Sequence, residues 1–305
     1  MSVPTVSAIV VTHDGVDHVG ACLRSLAEFA PDAEVVVVDN ASRDGTPDAV
    51  RSAAPRARLL ENPGNRGFAA ACRDGVVASA GRFFLLLNQD AMLAAPLAPL
   101  AAALDADDGL AAIGGRVTYP DGRLQATIGH PWTPTRLALS WLVPARVPVL
   151  GAACARVETS ARGYGRARAD VPWVSGAFLL GRRRVWDELG GFDPAYFMYV
   201  EDVDYADRAR RAGHRVGYSP AGRAVHAERG ATGLREDALR WTVEGSVRLL
   251  GRTHGDAAAA RFRRSLARIL RADAVAAGLV ARLSGSARRR AQAAVFGRVG
   301  RELAS

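Results

Sequence analysis

The sequence predicts an α/β fold: a mixed, mainly parallel sheet flanked by helices, followed by a helical C-terminal extension. Three observations carry this expectation. Continuous apolar runs alternate with helical patterns through the first hundred residues, four successive runs end in polar residues, and arginine-rich helical patterning fills the last fifty positions. Strands without inside–outside alternation suit a parallel sheet covered on both faces. In such sheets ligands bind beyond the carboxyl ends of the strands.

Val6–Thr12 reads as a buried strand, followed by a helix over Val16–Phe29. Glu34–Val38 is a valine-rich strand, and Thr46-Pro47 supplies a cap and a first-turn proline for the next helix. Arg58–Glu61, a helix from Gly67 to Ala80 and the strand Phe83–Leu87 continue the series. The strand ends fall at Thr12-His13-Asp14, Asp39-Asn40, Asn62 and Asn88-Gln89-Asp90. From about Tyr119 to Asp170 the pattern dissolves into Pro, Gly and Arg. It reads as an irregular excursion, too apolar at Trp132, Leu137, Trp141 and Leu142 to be wholly disordered. Regular patterning resumes with a strand at Trp173–Leu180 and a helix at Arg183–Leu189. The aromatic run Tyr196-Phe197-Met198-Tyr199 then leads into Glu201-Asp202 and a helix to Ala212, stopped by Gly213. Helices at about 236–252, 257–282 and 287–303 complete the chain.

The chain has 305 residues, 49% of them hydrophobic, enough for a substantial core. No stretch approaches the roughly 18 apolar residues of a membrane-spanning helix. The first residues lack a basic n-region and a cleavage site, so an intracellular, soluble chain is expected. Cys22, Cys72 and Cys154 are too far apart in sequence for a metal knuckle or disulfide framework. All 40 basic residues are arginine. The absence of lysine excludes the Walker A loop, a pyridoxal Schiff base and kinase chemistry. Residues 261–305 hold 11 arginines against Asp273 and Glu302, so this segment carries the whole net charge of +9.

At the end of its strand, Asp39 suits either hydrogen bonding to a base or ribose or an Asx-type cap of its own loop. Asn88 and Asp90 emerge together after an apolar strand, where oxygen ligands on a short turn suit a hard divalent cation. With no Gly-rich phosphate cradle and no lysine, a diphosphate site would depend on such an ion. Glu201 and Asp202 start a helix beside the aromatic run, where a carboxylate is placed to act as a general base. Asp204 and Asp207 have arginines four residues on and are expected on a solvated face. His226 alone reads as an ordinary core or loop histidine.

The ordered motifs Val-Ser-Ala-Ile-Val-Val-Thr-His-Asp-Gly, Val-Asp-Asn-Ala-Ser-x-Asp-Gly, Asn-x-Gly-Asn-Arg-Gly-Phe-Ala, Leu-Leu-Asn-x-Asp, Ser-Gly-Ala-Phe, Gly-Gly-Phe-Asp and Glu-Asp-Val-Asp-Tyr, with a late histidine, closely resemble family 2 glycosyltransferases over about residues 5–255. Within that family the chain is most similar to the rhamnosyltransferase-like branch. The resemblance implies a GT-A (Rossmann-like) fold, with a nucleotide-sugar half over 1–118, an acceptor half over 119–255 and a basic helical extension over 256–305. It implies that Thr12 and Asp14 line the base pocket, that Asp39 holds base or ribose, and that Asn65, Arg66 and Gly67 flank the nucleotide. Asn88 stands where many relatives carry an acid and would contact ribose. Asp90 and His226 would ligate Mg²⁺ or Mn²⁺, which for His226 replaces the ordinary reading. Asp202 matches the catalytic base, with Glu201 beside it. Trp173, Gly176 and Tyr199 are expected in the acceptor or sugar pocket, although core packing competes for the aromatic run. Arg73 stands where relatives usually carry Asn.

The implied activity is inverting transfer of a sugar, rhamnose being one candidate. It would pass from a dTDP- or UDP-linked donor to a hydroxyl of a cell-envelope glycan or polyprenyl-linked acceptor. The alternative is a non-catalytic GT-A-fold protein that binds nucleotide or polysaccharide, against which intact Asp90, Asp202 and His226 speak. Arg261, Arg264, Arg268 and Arg271 recur at helical spacing opposite Phe262, Leu266 and Ile269, and Arg288-Arg289-Arg290 precede Val295, Phe296 and Val299. This pattern over 257–305 suits an anionic membrane surface, with a solvated face or an oligomer contact as alternatives. A cytoplasmic chain, peripheral on the inner face of the membrane, is expected. Nucleic-acid binding is not, since no module or interleaved aromatics accompany the arginines.

Overall fold

The computed structural model describes residues 5–142, 154–158, 160–227 and 236–304. Parts of the excursion (143–153 and 159), the first four residues and Ser305 lie outside the described residues. The chain divides into two compact units, one formed by Met1–His130 with Val157–Arg229 and one by Pro131–Arg156 with Gly230–Ser305.

The first unit is built on β1 (Val6–Thr12), β2 (Glu34–Asp39), β3 (Arg58–Glu61), β4 (Phe83–Asn88), β5 (Ala91–Leu93), β6 (Leu110–Thr118), β9 (Phe178–Arg182) and β10 (Arg215–His226). These form one sheet in the order β3-β2-β1-β4-β9-β6-β10-β5. The first four strands of that order are parallel, β9 is antiparallel to both β4 and β6, and β10 is parallel to β6. Six strands therefore share one direction and deliver their carboxyl ends to one edge. Register aligns those ends, with Thr12 beside Asp39 and Val11 beside Asn88. The short strands β7 (Ile128–Gly129) and β8 (Trp173–Val174) pair separately.

Helices α1 (Val16–Phe29), α2 (Thr46–Ala53), α3 (Phe68–Val77), α4 (Ala98–Asp105), α6 (Arg183–Leu189) and α7 (Glu201–Arg211) complete this unit. The core joins Ala8, Val10, Val37, Leu85 and Leu87 of the strands to Val19, Leu23 and Leu26 of α1. On the other side α3 lies close to the sheet at Gly75, where a Cβ would come within 2.3 Å of Ile9. Glycine there permits the close helix–sheet approach.

The strand expected over Trp173–Leu180 is broken by a turn. Ser175 leaves β8 to bond its N–H to Thr127 O at 2.9 Å, and β9 starts at Phe178. The expected helix from Gly67 starts at Phe68, because Gly67 adopts a φ of +83° outside the helix. Strands β5, β6 and β10 were not apparent in the sequence. β6 is rich in Ala and Gly, and β10 carries Pro220 within a register shift between Ser219 and Arg223.

In the second unit, α5 (Pro134–Leu142), α8 (Glu236–His254), α9 (Asp256–Ser284) and α10 (Ala287–Glu302) share an apolar core. That core includes Leu137, Leu239, Val243, Leu250, Phe262, Leu266, Leu270, Val295 and Val299. The excursion thus contains a helix, and Phe262, Leu266, Val295 and Val299 are core residues rather than a free surface stripe. Among the described residues no helix is long and apolar enough to cross a membrane.

Candidate functional site

The strand-end residues of the first unit form a closed hydrogen-bond network. Thr12 is fully buried, and its hydroxyl donates to Asp39 Oδ1 at 2.8 Å. Asp39, 2% exposed, also accepts from the Ser42 hydroxyl at 2.5 Å and the Ser42 N–H at 2.9 Å. The loop-capping bonds foreseen for Asp39 are therefore made. Asn40 donates to Gly67 O and accepts from Asn62 Nδ2, both at 3.0 Å, while the His13 ring donates to its carbonyl at 2.9 Å. Asp14, at a φ of 46°, accepts the Arg43 N–H at 2.8 Å. Gln89 clamps the end of β1 by bonding both the N–H and the carbonyl of His13 at 3.0 Å. Asn65 Oδ1 accepts the Gly67 N–H at 2.9 Å, and Arg66 pairs with Asp74 at 2.7 Å on the surface. Gly67 has no room for a side chain, since a Cβ would fall 2.3 Å from Phe197 O. The next amide, Phe68 N–H, donates to that same carbonyl at 2.7 Å.

A second cluster joins β4, β5 and β10. Asp90, just after β4, has its Oδ1 3.1 Å from Nε2 of His226, the last residue of β10, with both side chains about nine-tenths buried. Asn88 Nδ2 lies 3.3 Å from the same ring nitrogen. On the other side of the ring, His226 Nδ1 lies 2.9 Å from Gln125 Oε1. With the amide so oriented, an acceptor faces Nδ1, so Nδ1 carries the proton and the Nε2 lone pair points toward Asp90. The Asn88 amide and the Asp90 carboxylate thus converge on Nε2. One carboxylate oxygen and one imidazole nitrogen, oriented by an amide behind the ring, fit a divalent ion. Among the described residues no third His, Cys, Asp or Glu joins them, so the other ligands would come from water and substrate oxygens.

The third cluster opens α7. Tyr199 and Val200 hold positive φ values of 69° and 74°, a strained conformation for two successive non-glycine residues, the second β-branched. The turn they make buries Glu201, which is 4% exposed, and its Oε2 has no hydrogen-bond partner among the described residues. Burial, and next the neighbouring Asp202 charge, push the Glu201 pKa well up. Burial also raises Asp202, but its Oδ2 accepts the Gly176 N–H at 3.0 Å and its Oδ1 the Val203 N–H at 2.8 Å. Those bonds favour the charged form of Asp202.

Asp204 departs from the solvated face expected for it. It is fully buried and accepts from the Tyr196 hydroxyl at 2.9 Å and from Arg208 Nε at 2.8 Å. Arg208 in turn donates to Leu189 O at 2.7 Å and Gly191 O at 2.6 Å, so this pair ties α7 to the turn after α6. Spacing alone does not say which side of a helix is buried, and nearly every side of α7 is. Asp207 with Arg211 remains a surface pair.

Of the expected pocket residues, Trp173 is 8% exposed and donates its ring N–H to His130 O at 3.0 Å. Gly176 gives its amide to Asp202, and Tyr199 is 40% exposed. The structure thus brings Asp202 and Gly176 together, and separately Asn88, Asp90 and His226. Gln125 and Gln89 were missed by sequence reasoning. Gln125 sits in the irregular segment 101 positions before its partner, and no local pattern marks it. Gln89 was visible only as the middle of Asn88-Gln89-Asp90.

A mainly parallel α/β sheet whose polar strand ends gather at one edge, with an Asp–His pair beyond them, is the architecture of a glycosyltransferase of GT-A fold. The family described as glycosyl transferase family 2 matches residues 7–188, and the chain belongs to it. An N-acetylglucosaminyl-diphospho-decaprenol L-rhamnosyltransferase of Mycobacterium tuberculosis is 28% identical over 297 residues, covering 79% of this chain and 90% of that protein. Rhamnosyltransferase WbbL of Escherichia coli is 39% identical over 83 residues, covering 27% of this chain and 31% of its own. Among solved structures, GalNAc-T7 with UDP, GalNAc and Mn²⁺ superimposes with a TM-score of 0.59 at 17% identity, over 82% of this chain and 48% of that one. This chain therefore spans about half the length of that neighbour. The mannosyltransferase PcManGT of Pyrobaculum calidifontis, with GDP-Man and Mn²⁺, gives 0.56 at 21% identity, over 100% and 87%.

Proposed function

We propose that this chain is a metal-dependent, inverting glycosyltransferase. In this reading it moves a sugar, rhamnose by likeness to the named relatives, from a dTDP- or UDP-linked donor to a hydroxyl of a polyprenyl-linked cell-envelope glycan. The observation that carries the reading is Asp202. Its carboxylate is held by two backbone amides beside the buried Glu201, and burial raises its basicity.

Asp202 removes the proton from the acceptor hydroxyl as that oxygen bonds to the anomeric carbon and the bond to the diphosphate breaks. One displacement from the opposite face inverts the anomeric configuration. Thr12, Asp14, Asp39, Asn65, Arg66 and Gly67 border the nucleotide. The Ser42 hydroxyl turns away from Asp39 when a base or ribose takes its place. Asn88 faces the ribose, and Tyr199, with Trp173 and Gly176, borders the sugar and acceptor. Asp90 and His226 would hold a divalent ion. The imidazole ligand favours Mn²⁺ over Mg²⁺, which prefers all-oxygen sites. When bound, that ion supplies positive charge against the charge growing on the departing diphosphate.

The arginines of 257–305 draw the chain to an anionic membrane at the cytoplasmic face, where a polyprenyl-linked acceptor lies. Whole-tail deletion is a poor test, because Leu239, Val243 and Leu250 of α8 would lose Phe262 and Leu266.

The test is turnover of a panel of dTDP- and UDP-sugars with Mn²⁺ or Mg²⁺, following nucleoside diphosphate release and product anomeric configuration by NMR. Slow metal-dependent donor hydrolysis and an inverted product are expected. A retained configuration, or equal rates after metal removal and for Asp90→Ala, overturns the mechanism.

A further inference from the structure

The outer face of α9 changes character along its length. Arg261, Arg264, Arg268 and Arg271 line its first half, all exposed. Continuing the same helical spacing, Val275, Leu279 and Leu283 replace them, flanked by Val280. Their exposures are 65%, 54%, 90% and 47%, high for four large apolar side chains within nine residues. The opposite face is not short of partners, since Ala277 and Ala281 are buried against the unit. The stripe ends at Gly285, a left-handed C-cap with a φ of 67°. Beyond it Arg288, Arg289 and Arg290 open α10, exposed like Arg282. No acidic residue occurs between Asp273 and Glu302, so the tip where the two helices join is both apolar and cationic.

We propose that this α9–α10 tip is a membrane-insertion surface for anionic bilayers. Val275, Leu279, Val280 and Leu283 enter the interfacial zone, and Arg271, Arg282 and Arg288–Arg290 sit at the headgroups. From residue 275 to 283 the helix rises about 12 Å at 1.5 Å per residue, which matches the roughly 5–10 Å depth of an interfacial element when the helix enters obliquely. The charge selects the occupant. A second copy of this chain would set arginine clusters against each other, whereas anionic lipid neutralises them and accepts the leucines. The proposal deepens the membrane reading given above: it rests on that reading for the arginines but adds residues that contribute through insertion rather than charge.

The test uses the full chain and vesicles of phosphatidylcholine with or without a quarter phosphatidylglycerol, free of any acceptor. Wild-type protein is expected to sediment with the anionic vesicles only. Leu279→Ser with Leu283→Ser, both exposed, should weaken that binding at least tenfold while leaving circular dichroism and donor hydrolysis unchanged. A fluorophore on Leu283→Cys should shift to the blue with anionic vesicles. If the double serine variant binds as well as wild type while Arg288, Arg289 and Arg290→Gln does not, the charge reading stands and insertion is overturned. If wild-type protein binds no vesicle even at low salt, both fall. If the serine pair instead converts a dimer to a monomer without vesicle binding, the tip is a self-interface and the proposal is wrong.

Discussion

Thr12, Asp39 and Asn40 at the strand ends and Glu201 and Asp204 at the start of α7 are buried, yet the two groups are treated in opposite ways. At the strand ends, Asp39, Asn40, Thr12 and Asn62 meet donors and acceptors from their own chain, leaving a rigid cradle with its hydrogen bonds made. At the start of α7, three acids within one turn receive three different environments. Asp204 has an arginine and a tyrosine, Asp202 has two amides, and Glu201 Oε2 has no partner among the described residues. The cradle uses its carboxylate for geometry, whereas the helix start holds Asp202 on backbone amides alone.

The sharpest way to break this comparison is Asp202→Asn. It keeps shape and one acceptor while removing the base, so sugar transfer should fall at least about a hundredfold with donor affinity little changed, as titration calorimetry and steady-state rates would report. A comparable loss of donor affinity would place Asp202 in the cradle class instead. Next is Asp204→Asn, which strands the Arg208 charge among the carbonyls of Leu189 and Gly191. Chemical denaturation should register a loss of about 2–3 kcal/mol, below the roughly 3–5 kcal/mol of a fully buried broken pair because Arg208 is partly exposed. A smaller effect comes from Glu201→Gln. Burial raises the folded-state pKa of Glu201 above its usual 4.5, so the unfolded chain ionises first and stability falls as pH rises from there toward the folded value. Melting temperature should therefore decline from pH 5 to pH 8 in the wild type, and this slope should flatten in the variant. Smallest of all, Asp207→Asn should change stability by no more than a few tenths of a kcal/mol, being an exposed pair at the same spacing as Asp204–Arg208.

That last contrast marks where sequence reading stops. Asp204–Arg208 and Asp207–Arg211 are identical as patterns, and only the packing of Tyr196 against α7 separates them. The valine strand ending at Asp39 and the proline start of α2 were legible because they depend on local chemistry. So were α8, α9 and α10 of the second unit, whereas α5 lay within a segment that read as irregular. β10 was not, because its proline and register shift disguise a strand that gains its edges from β6 and β5. The motif residues of the site could be picked out in order. The Gln125 contact with His226 could not, because it is made across 101 positions and belongs to the folded surface rather than to any segment. Likewise the arginine periodicity of α9 was plain, but which apolar residues opposed it as core and which were left bare required the packing of Phe262 and Leu266.

The bond from Phe68 N–H to Phe197 O also makes one amide a clock. It ties the loop at Asn65–Gly67 to the aromatic turn before α7, and neither segment can move away without exposing that proton to solvent. Its deuterium exchange rate, followed in the resting protein, therefore reports the free energy of parting those two loops. A single resonance would give the frequency of that event, and a ligand that holds the loops together would be recognised by how far it slows the clock.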